Sequence, residues 1–424
     1  MRRAFLLWSL VIVLTLALGP LRALAQEDEG PDPRLGLAPG EILVKFRPGT
    51  PGQAIAALHR QHGGQVAETI PGIDVQVVRV PPGQEQARAA AYRRNPTVLF
   101  AEVNGLYQAV DFPTVTPTDP LYPQQWQYNN TGQTGGTPDA DIDAPEAWAV
   151  TPGSATVAIA ILDTGIDQSH EDLQAKIKKN VNFTTSKSVD DKYGHGTHVA
   201  GSAAAVTNNA TGVAGTCPQC ALYNVKVLAD NGAGSWDWVA KGIVWAADNG
   251  AKVINLSLGG SSPSSTVQTA VDYAWGKGVV IVAAAGNAGT NAPFYPAAYS
   301  NVIAVAATDH NDQKPSWSNY GADWVDIAAP GAAILSTAPD HGNRIWGGGV
   351  RYGTLSGTSM ASPHVAGVAG LVWASGVCGA SPTNTCVRSR LETGADPIAG
   401  TGTLWARGRL NAYCSVADCS AGRP

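Results

Sequence analysis

Charge is scarce in this chain and nearly balanced. Only 14% of the 424 residues are Asp, Glu, Lys or Arg, with 28 basic against 33 acidic side chains and a formal net charge of -5. With a pI near 5.9, no basic surface is available for nucleic acid or anionic lipid, and neither partner is expected. There is no internal repeat, and beyond about Leu18 no apolar run is long enough to span a bilayer. Low charge alongside 44% hydrophobic residues and 48 glycines suits buried sheet strands and excludes a disordered chain. The length exceeds what one core absorbs, so at least two folded units are expected.

The start is organised for export. Arg2 and Arg3, an apolar run from Ala4 to about Leu18, and Ala23-Leu24-Ala25 ahead of acidic residues read as a signal peptide cut after Ala25. The run is short for an uncleaved membrane anchor. Secretion to the extracellular space follows, with no membrane association after signal removal. Six cysteines form three local pairs, Cys217 with Cys220, Cys378 with Cys386 and Cys414 with Cys419. An even count in an exported chain favours disulfides, although spacing leaves their connectivity open. A zinc site is the rival reading, and no second C-x2-C or His pair at ligand spacing accompanies Cys217-Pro218-Gln219-Cys220.

Residues 26–110 run as GEILVKF, AIAALHRQHG, GIDVQVVRV, EQARAAAYRRN and LFAEVNGLY. This reads as strand, helix, strand, helix, strand, a small α+β domain. Pro-rich residues 111–123 read as an exposed linker. Across residues 124–424, the apolar runs TVAIAILD, LYNVKVL, KVINLSL, VVIVAAAG and VIAVAA alternate with helical stretches. Continuous apolar strands are buried on both faces, and right-handed crossovers between them predict a doubly wound, mainly parallel α/β sheet with helices on both faces. Polar residues at strand carboxyl ends are then the first to examine for function.

Three residues stand out. Asp163 opens DTGID at the end of a buried strand. His195 lies in GHGTHVAG at the start of an Ala-rich helix, and Ser359 in GTSMASPHVAG at the mouth of a wholly apolar one, with Pro363 expected in its first turn. A serine hydroxyl becomes a good nucleophile only when an imidazole takes its proton, and a buried carboxylate fixes that imidazole's tautomer. Singly, each residue has a structural reading; jointly, in these contexts, they are specific. His198 and His364 on the same helices read as packing histidines.

These three motifs, in the order Asp, His, Ser, resemble those of the subtilase family, and residues 119–413 resemble its thermitase branch. The resemblance implies a serine endopeptidase of broad specificity acting on polypeptides through an acyl-enzyme. It also implies that residues 26–110 are a ferredoxin-like, inhibitor-like pro-domain removed by self-cleavage between Tyr107 and Thr118. A monomer is expected. A catalytically silent binding protein of the same fold, or an esterase using the same nucleophile, are the alternatives.

The resemblance further implies roles for individual residues. Asn287 in AAAGNAG supplies a side-chain donor to the oxyanion, with the Ser359 N–H as the second. An extended substrate lies between backbone edges at Gly232 to Gly234 and at Ser257, Leu258 and Gly259, where close approach favours glycine. Trp236 either lines the pocket for the fourth residue upstream of the cut or merely packs its helix. Phe294 stands where the family has a small or polar residue, and a ring there floors the primary pocket, favouring small or medium apolar side chains. Structural calcium is implied at Asp119, Asp172 and Asn209, with the carbonyls of Val206, Thr211 and Val213. A second calcium site before the His motif lacks the expected carboxylate spacing, leaving Asp190 and Asp191.

Overall fold

The computed structural model describes residues 37–105 and 113–419. The signal peptide, its cut site and half of the Tyr107 to Thr118 window lie outside them. The chain divides into two compact units between Val110 and Asp111.

The first unit contains β1 (Leu37–Phe46), α1 (Gly52–His62), β2 (Gln65–Ile70), β3 (Val75–Arg79), α2 (Glu85–Arg93) and β4 (Val98–Gly105). Its sheet has the order β2-β3-β1-β4, antiparallel throughout. Ile42, Val44, Leu58, Val78, Ala89 and Tyr92 form its core. Strand β2 is absent from the sequence-based expectation because its residues are almost all exposed: an edge strand that buries no side chain carries no apolar alternation.

The second unit is built from α3 (Ala144–Val150), β5 (Ala158–Asp163), β6 (Ile177–Asn182), α4 (His195–Ala204), β7 (Ala221–Lys226), α5 (Trp236–Asp248), β8 (Val253–Leu256) and α6 (Ser265–Gly276). It continues with β9 (Val280–Ala284), β10 (Ile303–Thr308), β11 (Ile327–Pro330), β12 (Ile334–Thr337), β13 (Tyr352–Leu355), α7 (Thr358–Ser375), α8 (Asn384–Gly394) and α9 (Ala412–Val416). Seven strands form one sheet in the order β11-β10-β9-β8-β5-β7-β6, every pairing parallel. The five inner strands are those read from the sequence. The outer two, β6 and β11, are an amphipathic IKKNVN and a four-residue IAAP.

One side of the sheet packs mainly on α4 and α7, the other on α5 and α6, which gives two cores. The chain runs outward from β5 in both directions, so the strand order switches at β5 and β8. A crevice opens beyond the carboxyl ends at such a switch, and Asp163 is the last residue of β5.

Two readings change. Residues 113–123 are not a free tether: Pro117, Asp119 and Tyr122 are buried, and the Val115 N–H donates to the Pro145 carbonyl at 2.9 Å. Buried side chains within a Pro-rich stretch dock it on the second unit. Pro363 also lies beyond the first turn of α7, being its sixth residue. Its missing N–H frees the Ser359 carbonyl, four residues back, from the helix ladder. The Ser257 hydroxyl takes that acceptor at 2.8 Å.

The three cysteine pairs close locally as disulfides, Cys217–Cys220, Cys378–Cys386 and Cys414–Cys419. Among the described residues, no helix is long and apolar enough to cross a membrane.

Candidate active site

The end of β5, the start of α4 and the start of α7 meet at the crevice. Asp163 is fully buried, and its Oδ1 lies 2.8 Å from His195 Nδ1. The same oxygen accepts the Thr164 N–H at 2.7 Å. With Nδ1–H held by the carboxylate, His195 presents Nε2 with its lone pair. Gly196 is obligatory here, since a Cβ at that position would lie 2.1 Å from the Gly165 carbonyl and 3.0 Å from Asp163 Cβ.

Burial of the imidazole pulls its pKa down, but the charge of Asp163, its hydrogen bond and the charge of Asp191 outweigh this, so His195 ends above the ordinary histidine value. Asp191 shapes the turn that carries the ring. It is fully buried and accepts from Thr164 Oγ1 at 2.9 Å, Gly194 N at 2.8 Å, Tyr193 N at 3.0 Å, and both Thr197 N and Oγ1. Of the two aspartates left over for a second calcium ion, Asp191 is therefore committed to holding the turn. Its position four residues before His195 carries no chemical signal in the sequence.

Ser359 is the second residue of α7, so its N–H has no intrahelical partner. Its hydroxyl donates to the Ser257 carbonyl at 3.2 Å. Ser359, Asn287, Leu258, Gly259 and Phe294 line a cavity of about 260 Å³. Thr358 fixes the Asn287 amide: its N–H and its hydroxyl both donate to Asn287 Oδ1, at 2.9 and 3.0 Å. The amide oxygen is thereby occupied and the NH2 group remains as the available donor.

His195 lines an adjoining cavity of about 430 Å³ with Gly232, Gly234, Trp236, Ser257, Leu258 and Gly259. Leu258 and Gly259 border both cavities. All the residues expected to bind substrate thus surround this double depression. Trp236 is 55% exposed and is not held by helix packing. Phe294 lies under Gly259, where a Cβ would come within 2.4 Å of its ring. Reciprocal 2.8 Å hydrogen bonds between Gly260 and Tyr295 fasten this segment. Sequence reasoning missed Thr358 and Tyr193, the latter lining the larger cavity, and named Asp191 only as a leftover calcium candidate.

His198 and His364 are buried packing residues, as read. His198 Nε2 faces the Ile334 and Gly353 carbonyls at 3.0 and 3.1 Å, and burial lowers its pKa to about 3. Burial lowers His364 to about 4.

The residues expected around calcium also converge. Asp119 and Asp172 are both buried, and burial raises the pKa of Asp172 against the hydrogen bonds from Asn209 and Val213. Asp119 accepts the N–H groups of Asn208 and Asn209 at 2.8 and 3.1 Å, while Asn209 Nδ2 reaches Asp172 at 2.7 Å. Among the described residues, no hydrogen bond reaches the carbonyls of Val206, Thr211 or Val213. Two buried carboxylates beside three unpaired carbonyls form an all-oxygen donor set that fits calcium.

Comparison with known proteins shows the family. The model described as Subtilase family matches residues 154–405, and that described as Fervidolysin N-terminal prodomain matches residues 26–104. Thermitase of Thermoactinomyces vulgaris is 51% identical over 302 residues, 71% of this chain and 99% of thermitase. The thermophilic serine proteinase of Bacillus sp. (strain AK1) is 42% identical over 388 residues, 89% of this chain and 87% of the relative. Among solved structures, a protease of Pseudoalteromonas arctica PAMC 21717 superposes with a TM-score of 0.60 at 32% identity, covering 71% of this chain and 99% of that one. The chain belongs to the subtilase family and is a serine endopeptidase preceded by a pro-domain.

Proposed function

We propose that this chain is a secreted, self-maturing endopeptidase in which Ser359 attacks the scissile carbonyl, His195 serves as its base and Asp163 holds the imidazole. The observation that carries this reading is the 2.8 Å link from Asp163 to His195 Nδ1. It leaves Nε2 to take the Ser359 proton and pass it to the leaving amine. In the free enzyme the Ser359 hydroxyl rests on the Ser257 carbonyl. Substrate binding then turns the hydroxyl toward the imidazole.

The Asn287 NH2 and the Ser359 N–H at the start of α7 stabilise the oxyanion, because both donors are fixed before charge develops. The substrate backbone runs between the edges at Gly232 to Gly234 and Ser257 to Gly259. Trp236 accepts an apolar side chain, and Phe294 limits the primary pocket to small or medium apolar residues. Calcium, held by Asp119, Asp172, Asn209 and the loop carbonyls, supplies structural cross-linking rather than chemistry.

Casein hydrolysis and secreted-protein mass, wild type beside Ser359→Ala, test the reading together. Hydrolysis falls by roughly 10^6-fold with loss of the nucleophile, and the variant keeps residues 26–110. Normal removal of that segment from the variant would assign maturation to another protease. Ester hydrolysis without casein hydrolysis would make the enzyme an esterase.

A further inference from the structure

Three segments distant in sequence bring Asp167, Asp190 and His341 together, outside the residues that contact substrate. Asp167 lies in the turn after β5, Asp190 in the loop before α4, and His341 in the loop between β12 and β13. One ligand atom from each lies within 4.8 Å of the others. His341 Nε2 is 3.1 Å from Asp190 Oδ2 and 3.9 Å from Asp167 Oδ1. Asp167 is completely buried.

The tautomer of His341 gives the cluster its chemistry. Nδ1 lies 3.2 Å from the Gly342 carbonyl, an acceptor, so Nδ1 carries the proton. Nε2 is shielded from solvent and lies 3.1 Å from Asp190 Oδ2 without hydrogen-bond alignment; in the neutral imidazole it is a lone pair. A lone pair facing two carboxylates is repulsive, so this position calls for a positive centre, a proton on Nε2 or a metal ion. A backbone carbonyl on the imidazole nitrogen that faces away from the carboxylates is the outer-shell arrangement of metal-binding histidines.

We infer that Asp167, Asp190 and His341 bind one divalent cation of the zinc class, separate from the calcium loop. An imidazole nitrogen with two carboxylates suits zinc, cobalt or nickel, whereas calcium takes oxygen donors. Two ligands on one such ion are at most about 4.2 Å apart, and both measured Nε2 separations fall inside that limit. Other polar groups on the carboxylates are accounted for. Asp167 accepts from Ser169 N, Ser169 Oγ and Asp340 N. Asp190 accepts from Gln168 N on Oδ1 and from Lys192 Nζ at 2.7 Å on Oδ2, the oxygen that also faces His341. Lys192 is half exposed and free to swing into water as the ion enters.

The ion acts on loop position rather than on bond cleavage. The His341 loop lies against the turn that carries His195: Ile345 N donates to the Tyr193 carbonyl at 3.0 Å, a Cβ on Gly194 would meet Trp346 at 2.9 Å, and Trp346 stacks on His198. A cation joining Asp190 to His341 pins this loop to that turn and stabilises the folded unit by mass action.

The test uses the full chain carrying Ser359→Ala, stripped of transition metals and held in excess calcium. Calorimetry with zinc alone and visible absorption with cobalt alone are expected to show one ion per chain. Zinc at a hundredfold excess over its Kd raises the thermal midpoint by about 5 °C. His341→Ala abolishes both signals, Asp190→Asn weakens binding at least tenfold, and Asp167→Asn does the same. Metal-free midpoints close to the parent's show that these variants are folded. Absence of zinc binding in the parent overturns the inference, as does unchanged binding in folded His341→Ala. A lower metal-free midpoint in His341→Ala with no zinc effect in the parent also overturns it, and identifies an imidazolium ion pair instead.

Discussion

Ser257 and Ser359 are tied to each other twice. The Ser359 hydroxyl donates to the Ser257 carbonyl at 3.2 Å, and the Ser257 hydroxyl donates to the Ser359 carbonyl at 2.8 Å. The second bond exists because Pro363 offers no N–H to that carbonyl. Asn255 Nδ2 and Ser362 Oγ complete the Ser257 environment at 2.9 and 2.8 Å. The end of β8 is thus locked to the start of α7, where the proposed substrate edge meets the proposed nucleophile. Ser257→Ala leaves several buried polar atoms short of a partner, at about 1–3 kcal/mol. The variant is expected to melt earlier and to lose about tenfold in kcat with little change in KM, as displacing an attacking group does. Denaturation and steady-state kinetics check this; an unchanged kcat would mean the lock does not position Ser359.

Asn287 depends on Thr358 for its orientation. Asn287→Ala is expected to lower kcat by about 10^2–10^3-fold with KM nearly constant, since the donor acts only as the oxyanion forms. Thr358→Val removes one of the two anchors on Oδ1, and a smaller loss in the same direction is expected. A rise in KM alone in either variant would assign Asn287 to ground-state binding.

Phe294 lies beneath Gly259 in the cavity shared with Ser359. Profiling on a peptide library is expected to favour small or medium apolar residues before the cut, and Phe294→Gly to move the preference toward large aromatic ones. Wild-type preference for Phe at that position would contradict the assignment.

Removal of calcium exposes a different cost. Asp119 and Asp172 are buried carboxylates, so chelation of the proposed ion is expected to leave their charges uncompensated. The thermal midpoint in EDTA is expected to fall by about 5 °C or more, and Asp172→Asn to lose most of the calcium dependence. Identical melting with and without calcium would remove the ion from this loop.

A second buried acidic group sets a pH dependence. Burial, then the charges of Asp141 and Asp396, push Asp143 up to about 9 against the opposing charge of Arg409. Its unfolded value is about 3.9. The folded state therefore holds a proton that the unfolded state releases between these values. That stabilisation is complete below about pH 4 and is lost as pH rises toward 9. Asp143→Asn is neutral throughout and keeps an oxygen for the hydrogen bond from Asn411. Its midpoint should match the parent's near pH 4 and exceed it increasingly toward pH 9. A constant difference across that range would exclude the titration.

What the sequence made legible follows from where information is local. The five inner strands carry continuous apolar runs because both faces are buried. Asp163, His195, Ser359 and Asn287 sit in short motifs at strand or helix ends. Strands β2, β6 and β11 are short or solvent-facing edges, which leave little pattern to read. The support around the site was equally hidden. Asp191 acts through bonds made only once the turn has formed, and His341 reaches Asp190 across some 150 residues of chain. Docking of Asp119 on the loop at Asn208 likewise needs the fold to exist, which is why its Pro-rich neighbourhood reads as a tether.

Active-site labelling tests the central claim most directly. A fluorophosphonate is applied to wild type and to His195→Ala, and the site of modification is located by peptide mass mapping. The expected result is a single adduct on Ser359 in wild type, and labelling slowed at least a thousandfold in His195→Ala. An adduct on another residue, or equal labelling of both proteins, would contradict the relay from Asp163 through His195 to Ser359.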